Sequence, residues 1–393
     1  MNHPMLGKIL PFVLIVGLLL VTLAPLDLPT FGERDFLKYW ASTHLLITGG
    51  NPYDSVALRD LEHSLRPELI PKYDVVEVWN PPWLLLILSP LGLLPFDIAK
   101  VVWVFCNVFL ISLALGIVWQ WLASPSDHRG FAAALAAGFL YAETLSLIQM
   151  GQITTLVLLG MLITIGCLRS EPNLKRDVLA GAALLLTALK PHLVYLAVLL
   201  IFIGVIRSRR WGVFAGLAGA GVISVIIVWF IFPGWLTSYL STLSRLPNMT
   251  IYTSTVGSLM SAVFGIEIFR FSAVLLLPLL PWLVRLTEKD WLTGINLALL
   301  LSLPLSTYGF SNDQVVLLPA IVQLVVWLRG RRLPSRTAWV VGAGMVIVYG
   351  LNLWVSSING KPYYWLVWPP LALLGLYYPS WKAQKDGLAR SAV

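Results

Sequence analysis

Charged residues are scarce in this chain of 393 residues: Asp, Glu, Lys and Arg make up 12% of it, against about 25% in soluble domains. Apolar residues account for 58% of the sequence, and the mean hydropathy is +0.81. Apolar runs of roughly 20 residues recur, for example over 5–25 and 212–232, and this is the length of a bilayer-spanning helix. The runs are continuous rather than alternating, which predicts helices. We therefore expect an all-α polytopic membrane protein.

The chain also has little of the chemistry that marks metal or nucleotide sites. Its two cysteines, Cys106 and Cys167, both lie inside apolar runs and are expected to pack as small core residues. No Cys/His cluster, P-loop, G-x-S-x-G or GxGxxG motif stands in a fitting context. The sequence therefore predicts no metal site and no cofactor.

Basic residues concentrate in short loops, and this distribution predicts the topology by the positive-inside rule. With these loops in the cytoplasm, the loop 26–80 lies outside, where it carries nine acidic and five basic residues. The net charge of +8 then reflects membrane orientation, and nucleic acid is not an expected partner. The basic loops are 169–176, 207–210, 285–289, 329–336 and the tail 382–390, together with Lys8 and Arg129.

This topology predicts one integral membrane domain over 1–393 with about twelve transmembrane helices and both termini in the cytoplasm. An uncleaved first helix (5–25) precedes an extracytoplasmic loop (26–97), which carries an amphipathic interfacial helix (36–47) and a half-helix (81–95) bounded by prolines. A short extra crossing over 81–95 is the alternative. A helical bundle (98–380) and a tail (381–393) follow. The bundle crossings are expected at 98–122, 131–148, 152–168, 178–190, 191–206, 212–232, 266–284, 291–307, 312–328, 337–356 and 363–379, with Pro191 separating the fourth from the fifth.

Four polar segments fall on the outer side of this topology. They are the loop around Asp35, Met150-Gly151-Gln152, Lys190-Pro191-His192 and the segment from Tyr308 to Asp313. Ionisable residues at the ends of membrane helices are costly and tend to mark functional sites. A carboxylate, a lysine and a histidine on one side are the ingredients of a pocket for an anionic substrate.

Each of these residues also has a structural explanation. Asp35 could cap the helix 36–47, and Asp313 could cap the helix 312–328. Lys190 could extend to the lipid headgroups, and His192 could be a core histidine. Arg270 could anchor its helix at the interface or bind a phosphate.

The order of short motifs along the chain is distinctive. D-F-x-x-Y-x-A begins at Asp35 and L-x-x-G-x-N-P-Y-D begins at Leu46, followed by Asn80-Pro81-Pro82, Gly151-Gln152 and Lys190-Pro191. In this order the chain resembles glycosyltransferase family 87 of the GT-C superfamily, over about residues 30–210. The resemblance implies an inverting transferase that moves a sugar, mannose by family analogy, from a polyprenyl phosphate to a hydroxyl of a glycolipid or glycan. The implied general base is Asp35, in a site that faces outward from the cell membrane.

The expected partners are the polyprenyl-phosphate sugar donor, the lipid or glycan acceptor and membrane lipids. The resemblance implies no metal, and the first outer loop has no D-x-D motif. The sequence Glu33-Arg34-Asp35 is an E-x-D, so a divalent ion bound by these two carboxylates remains an alternative. The residues expected to bind substrate are Arg34, Lys38, Tyr39, Asn51, Tyr53, Gln152, Lys190, His192, Arg270 and Asp313.

A membrane transporter or lipid flippase is the competing interpretation. Twelve helices and the break at Pro191 suit a transporter. However, the sequence has no internal two-fold repeat, and its polar residues gather at one face rather than near the midplane.

Overall fold

The computed structural model describes residues 32–67, 77–124, 126–244, 253–330 and 332–391. The predicted first helix over 5–25 and Lys8 lie outside these residues. Within the described ranges the chain forms α-helices and short 3₁₀ segments, without strands. The all-α prediction is therefore confirmed for this part of the chain.

The first half of the chain contains nine described α-helices. Their bounds are α1 Phe36–Ile47, α2 Ser55–Leu65, α3 Trp83–Gly92, α4 Phe96–Leu122, α5 His128–Phe139, α6 Ala142–Met150, α7 Thr154–Leu168, α8 Leu174–Thr187 and α9 Pro191–Arg207.

The second half contains eight described α-helices and three 3₁₀ segments. The α-helices are α10 Gly212–Ile231, α11 Trp235–Ser244, α12 Val256–Phe264, α13 Leu280–Lys289, α14 Trp291–Ser302, α15 Leu318–Arg329, α16 Ser335–Ser357 and α17 Trp368–Ser391. The 3₁₀ segments are Glu267–Leu279, Ser311–Leu317 and Tyr363–Val367.

Five of the described helical segments are long and apolar enough to cross a membrane: Phe96–Leu122, Gly212–Ile231, Glu267–Lys289, Ser311–Arg329 and Ser335–Ser357. The pair α5 and α6 counts as a sixth span if its two bent parts are taken together. The prediction of about twelve crossings is not confirmed. Several expected crossings, such as those over 152–168, 191–206 and 291–307, are apolar helices of only 12 to 17 residues.

Two proline-containing segments agree with the prediction, and one expected crossing is bent. α3 has ten residues, about 15 Å of helix, which is shorter than a bilayer core of about 30 Å. α9 begins at Pro191 after α8 ends at Thr187, since proline is tolerated in the first helical turn. The segment of the predicted crossing 131–148 consists of two helices, α5 and α6, which meet at an angle of 62°.

The surroundings of α1 also differ from the prediction. We expected an amphipathic helix at the membrane interface, but none of its twelve residues is exposed. Trp40 donates a hydrogen bond to the Leu94 carbonyl at 3.1 Å, and Phe36 stacks on Trp103 of α4 at 5.8 Å between ring centroids. α1 is therefore packed inside the protein, because α3 and α4 cover the face that we assigned to lipid.

The basic loops are connected to one another by ion pairs. Arg210 binds the Asp177 carboxylate with its Nε at 2.8 Å and the Leu168 carbonyl with its Nη1 at 2.8 Å, which joins loop 207–210 to loop 169–176. Arg207 pairs with Glu288, and Arg329 pairs with Asp127 at 3.3 Å. α7 and α9 both end at the basic loops, so their opposite ends, at Thr154 and Pro191, lie away from them.

Candidate functional site

The backbone before α1 is attached to the end of α6. The Gly32 N–H donates to the Gln149 carbonyl at 2.7 Å, and the Asp35 N–H donates to the Met150 carbonyl at 2.8 Å. Gly151 follows with a φ of +69°, and a Cβ there would lie 2.5 Å from the Gly32 carbonyl oxygen. Glycine is therefore required, because both the left-handed backbone and the close approach exclude a side chain. This attachment brings Asp35 beside Gln152.

Asp35 uses its carboxylate for side-chain contacts rather than for capping. One oxygen, Oδ1, accepts from Lys38 Nζ at 2.9 Å, and the other, Oδ2, accepts from Gln152 Nε2 at 2.7 Å. The side chain makes no cap hydrogen bond to α1, so the capping explanation is wrong. Burial by itself would raise the pKa of Asp35. The charge and hydrogen bond of Lys38, the hydrogen bond of Gln152 and the charge of Lys190 outweigh it, so the pKa lies below its ordinary value.

Gln152 connects Asp35 to a buried cluster of charged and polar groups. Its Oε1 accepts from Lys190 Nζ at 2.8 Å and from the Tyr39 hydroxyl at 3.2 Å. Lys190 Nζ also donates to Asp313 Oδ1 at 2.6 Å and to Thr154 Oγ1 at 3.1 Å. An ammonium group has three N–H bonds, so the donors of Lys190 are all used. Asp35, Gln152, Lys190 and Asp313, predicted from four separate segments, do lie together.

Asp313 takes part in both the cluster and the local backbone. Its Oδ1 accepts from Lys190 and from the Thr154 hydroxyl at 2.7 Å, while its Oδ2 accepts from the Phe310 N–H at 3.0 Å. The capping explanation for Asp313 is thus correct, but incomplete. The side chain is 1% exposed, and a carboxylate buried to this degree needs a charged partner, which Lys190 supplies.

A cavity of about 620 Å³ lies against this cluster. Seven of the predicted substrate-binding residues are in its wall: Lys38, Tyr39, Gln152, Lys190, His192, Arg270 and Asp313. Asp35 is not one of the lining residues, but it forms hydrogen bonds with Lys38 and Gln152, which are. The remaining lining residues are Glu77, Trp79, Asn80, Pro81, Ala188, Leu189, Pro191, Tyr239, Leu243, Thr307, Tyr308 and Phe310. The cavity is large enough for a small-molecule ligand by the usual range of about 300–1,000 Å³.

Two lining side chains carry nitrogen atoms that have no hydrogen-bond partner within the described ranges. Arg270 is 3% exposed, and although its Nε binds Glu267 at 2.5 Å, its Nη2 is buried and unpaired. His192 Nε2 is also buried and unpaired, and its ring lies edge-on to Tyr308 at 5.5 Å between centroids. A buried polar atom without a partner costs free energy, and both of these side chains belong to the cavity wall.

Three predicted residues do not join this cavity. Arg34 is exposed and lies outside its wall. Asn51 and Tyr53 line a separate pocket of about 350 Å³ beyond the end of α1. The single site that we expected is therefore divided, because the twelve residues of α1 separate Asp35 from the Asn-Pro-Tyr turn.

Glu33 has a structural environment that differs from that of Asp35. It is fully buried, and its carboxylate binds Lys100 Nζ at 2.7 Å and Arg66 Nε at 3.2 Å. Arg66 also pairs with Asp97 at the start of α4. Glu33 thus attaches the segment before α1 to α2 and α4. Glu33 is paired with Lys100 and Arg66, whereas Asp35 is paired with Lys38.

Two further residues, Thr154 and Tyr239, contribute to the site. Thr154 joins Lys190 to Asp313 by hydrogen bonds, but a threonine that begins an apolar run carries no signal of this role. α11 supplies part of the cavity wall through Tyr239, whose hydroxyl donates to the Trp79 carbonyl at 3.3 Å. We had not predicted this helix, which lies between two expected crossings.

Comparison with known proteins gives one match. The model of glycosyltransferase family 87 matches residues 79–284, more than half of the chain. The match includes Gln152, Lys190, His192 and Arg270, whereas Asp35 and Asp313 lie outside it. No curated protein matches the chain, and neither does any solved structure.

Proposed function

Because the chain belongs to glycosyltransferase family 87, we propose that it transfers a sugar from a polyprenyl phosphate to a hydroxyl group of a glycolipid or glycan. Mannose is the first sugar to test, by family analogy. The observation that supports this proposal is that Asp35 binds two side chains of the cavity wall, Lys38 and Gln152, and that Arg270 lines the same cavity.

In this proposal Asp35 is the general base. Its depressed pKa keeps the carboxylate ionised near neutral pH. The acceptor hydroxyl gives its proton to Asp35 as its oxygen forms a bond to the anomeric carbon of the donor. The bond from that carbon to the phosphate oxygen breaks, the phosphate keeps the electron pair, and the configuration inverts. A positioned base contributes typically about 10²–10⁴-fold to such a step.

The leaving phosphate gains negative charge, which needs donors that are already in position. Arg270 supplies a buried, unpaired guanidinium N–H, and His192 lines the same cavity. A guanidinium matches the geometry of phosphate oxygens well. We therefore assign the donor phosphate to Arg270 and His192.

Lys190 receives a different role from the one that we predicted. Its ammonium group is held by Gln152, Thr154 and Asp313. Releasing it to a phosphate would leave the buried Asp313 carboxylate unpaired, which is costly. We therefore propose that Lys190 is a positioning residue, which acts on Asp35 through Gln152.

The orientation of the site follows from the basic loops. α7 and α9 run from the Asp35 cluster to the loops 169–176 and 207–210. If these basic loops face the cytoplasm, the cavity opens on the extracytoplasmic side of the cell membrane, where a lipid-linked donor is present. The cluster lies at helix ends, whereas transporter sites lie near the midplane, and this disfavours the transporter alternative.

The experiment that tests this proposal uses purified protein in lipid nanodiscs. Polyprenyl phosphate mannose and polyprenyl phosphate glucose are supplied with a membrane lipid extract, and release of polyprenyl phosphate is followed by mass spectrometry. We expect at least one donor to be consumed and a new glycosylated product to appear. Consumption of a nucleotide sugar instead, with neither lipid-linked donor used, would contradict the proposal.

A matched pair of variants tests the base. Asp35→Asn should reduce turnover by about 10²–10⁴-fold, whereas Asp60→Asn, which changes an exposed carboxylate on α2, should leave it unchanged. Both variants should elute as wild type in size-exclusion chromatography. Full activity of Asp35→Asn would remove Asp35 from the mechanism.

A further inference from the structure

A second pocket, of about 350 Å³, lies between the turn that follows α1 and the first half of α11. Its lining consists almost entirely of groups that form hydrogen bonds. The lining residues are Asn51, Tyr53, Asp54, Ser55, Thr237, Ser238 and Ser241. Nothing in the mechanism above uses this pocket.

α11 separates this pocket from the main cavity. Thr237 and Ser241, four residues apart, line the second pocket, whereas Tyr239 and Leu243, also four residues apart, line the main cavity. Residues at this spacing share one side of a helix. The two cavities are therefore on opposite sides of a single helix.

Direct contacts join the turn to α11. The Tyr53 ring packs against Tyr239 at 5.5 Å between centroids, and Asn51 Nδ2 donates to Ser238 Oγ at 3.3 Å. Asn51 also accepts the Tyr53 N–H at 2.9 Å, which fixes the turn. The pocket is thus built by two elements that are held together.

Tyr53 lines this pocket and has an unmet hydrogen-bonding group. The residue is 3% exposed, and its hydroxyl has no hydrogen-bond partner among the residues that the structure describes. A buried hydroxyl without a partner costs free energy, and a polar ligand would remove that cost.

The charges of the lining select the class of ligand. Among the described residues the pocket has one carboxylate, Asp54, and neither a lysine nor an arginine. A phosphate or sulfate would therefore meet a negative charge without a cation. A neutral polyol is the complement of this set, because its hydroxyls both donate to carboxylate and amide oxygens and accept from hydroxyl groups.

The position of the pocket relative to Asp35 limits what it can bind. α1 has twelve residues between Asp35 and the turn, which is about 18 Å at the helical rise of 1.5 Å per residue. A sugar in this pocket cannot be the one that reacts at Asp35. It has to be another part of a longer molecule.

We propose that this second pocket binds a sugar residue of the acceptor glycan, remote from the hydroxyl that receives the transferred sugar. This inference rests on the proposed function. Contacts to a remote part of a substrate position its reacting group, so the pocket gives the enzyme a preference for acceptors that extend over α11.

The test measures sugar binding directly. An α-linked mannose trisaccharide and a glucose trisaccharide are the probes, and saturation-transfer difference NMR is recorded on the full chain in nanodiscs without donor. We expect wild type and Asp35→Asn to bind at least one trisaccharide. Thr237→Trp, which fills the pocket from an exposed position, should weaken that binding by about tenfold or more.

Two further variants control the interpretation. Leu240→Trp adds the same bulk to an exposed position of α11 that lines neither cavity, and it should bind like wild type. Tyr53→Phe removes only the hydroxyl and should weaken binding while the protein keeps its thermal stability. Equal trisaccharide binding by wild type and Thr237→Trp would overturn the proposal.

Donor consumption is measured on the same samples to separate the two proposals. If wild type consumes a polyprenyl phosphate sugar but binds neither trisaccharide, the proposal for the second pocket is wrong and the proposed function stands. If trisaccharide binding depends on Thr237 but no donor is consumed, the pocket binds sugar and the proposed transferase function is overturned.

Discussion

Lys190 and Asp35 are linked through the side chain of Gln152. Lys190 Nζ donates to Gln152 Oε1 at 2.8 Å, and Gln152 Nε2 donates to Asp35 Oδ2 at 2.7 Å. An ammonium group can only donate and an ionised carboxylate can only accept, so the amide has one orientation that satisfies both. The position of the Asp35 carboxylate thus depends on a residue that it does not contact.

This relationship predicts that Gln152 and Lys190 act as a unit. Gln152→Leu removes the donor to Asp35, and Lys190→Met removes the group that orients the amide. Both are made in an Asp313→Asn background, because Lys190→Met would otherwise leave a buried carboxylate without its cation. Each should lower kcat by about 10²-fold, the scale of a misplacement of about 1 Å, with a smaller change in the KM of the donor. The double variant should be little worse than either single variant, because the two changes break the same chain of hydrogen bonds. Effects that multiply in the double variant would show that the residues act independently.

The environment of Asp35 also predicts a pH dependence. A general base works in its ionised form, and the pKa of Asp35 lies below its ordinary value. Activity should therefore persist as the pH falls to about 4 and decline only at lower pH. Lys38→Met removes both the charge and the hydrogen bond of Lys38, which lower the pKa of Asp35. The variant should therefore move this decline to higher pH. The pH profile of kcat/KM measures it, and an unchanged acidic limb in Lys38→Met would contradict the assignment of Asp35 as the base.

The sequence predicted much of the fold because apolar runs and prolines have direct structural consequences. The helices around Pro191 and the short α3 follow from these signals. The number of crossings did not follow, because apolar helices such as α7 and α14, of 15 and 12 residues, are shorter than a bilayer span. Burial of α1 could not be foreseen, since an apolar helix face packs equally well against lipid and against α3.

The candidate site was predicted in part. Topology placed Asp35, Gln152, Lys190 and Asp313 at one end of the bundle, and the structure brings them into contact. The sequence does not predict which charged side chains pair with each other. In the structure Lys190 binds Asp313, whereas one N–H group of Arg270 has no partner among the described residues. Such choices depend on distances of a few ångströms between segments that lie more than 100 residues apart.

Gly151 provides a test of how the site is assembled. An alanine there would meet the Gly32 carbonyl oxygen at 2.5 Å and the Phe36 Cβ at 2.6 Å, in a left-handed backbone conformation. Gly151→Ala should destabilise the protein by about 1–3 kcal/mol and lower activity, because the segment that carries Asp35 moves. Thermal unfolding in detergent measures the first effect. The control is Gly342→Ala on α16, where no atom lies within 4 Å of the added Cβ, and equal behaviour of the two variants would contradict this account.

Arg270 provides the test of donor recognition. Arg270 lines the cavity, its Nη2 is buried and has no hydrogen-bond partner among the described residues, and we assign its guanidinium to the donor phosphate. Arg270→Gln should raise the KM of the polyprenyl phosphate sugar by about tenfold or more, since a hydrogen bond to a charged group contributes about 1.5–3 kcal/mol. Arg270→Lys should recover only part of this loss, because an ammonium group lacks the planar fork of guanidinium. Arg285→Gln changes an exposed arginine of the same helical segment and should behave like wild type. If Arg270→Gln raised the KM of the acceptor and left that of the donor unchanged, Arg270 would belong to the acceptor site, and the donor phosphate would have to be assigned to other residues of the cavity.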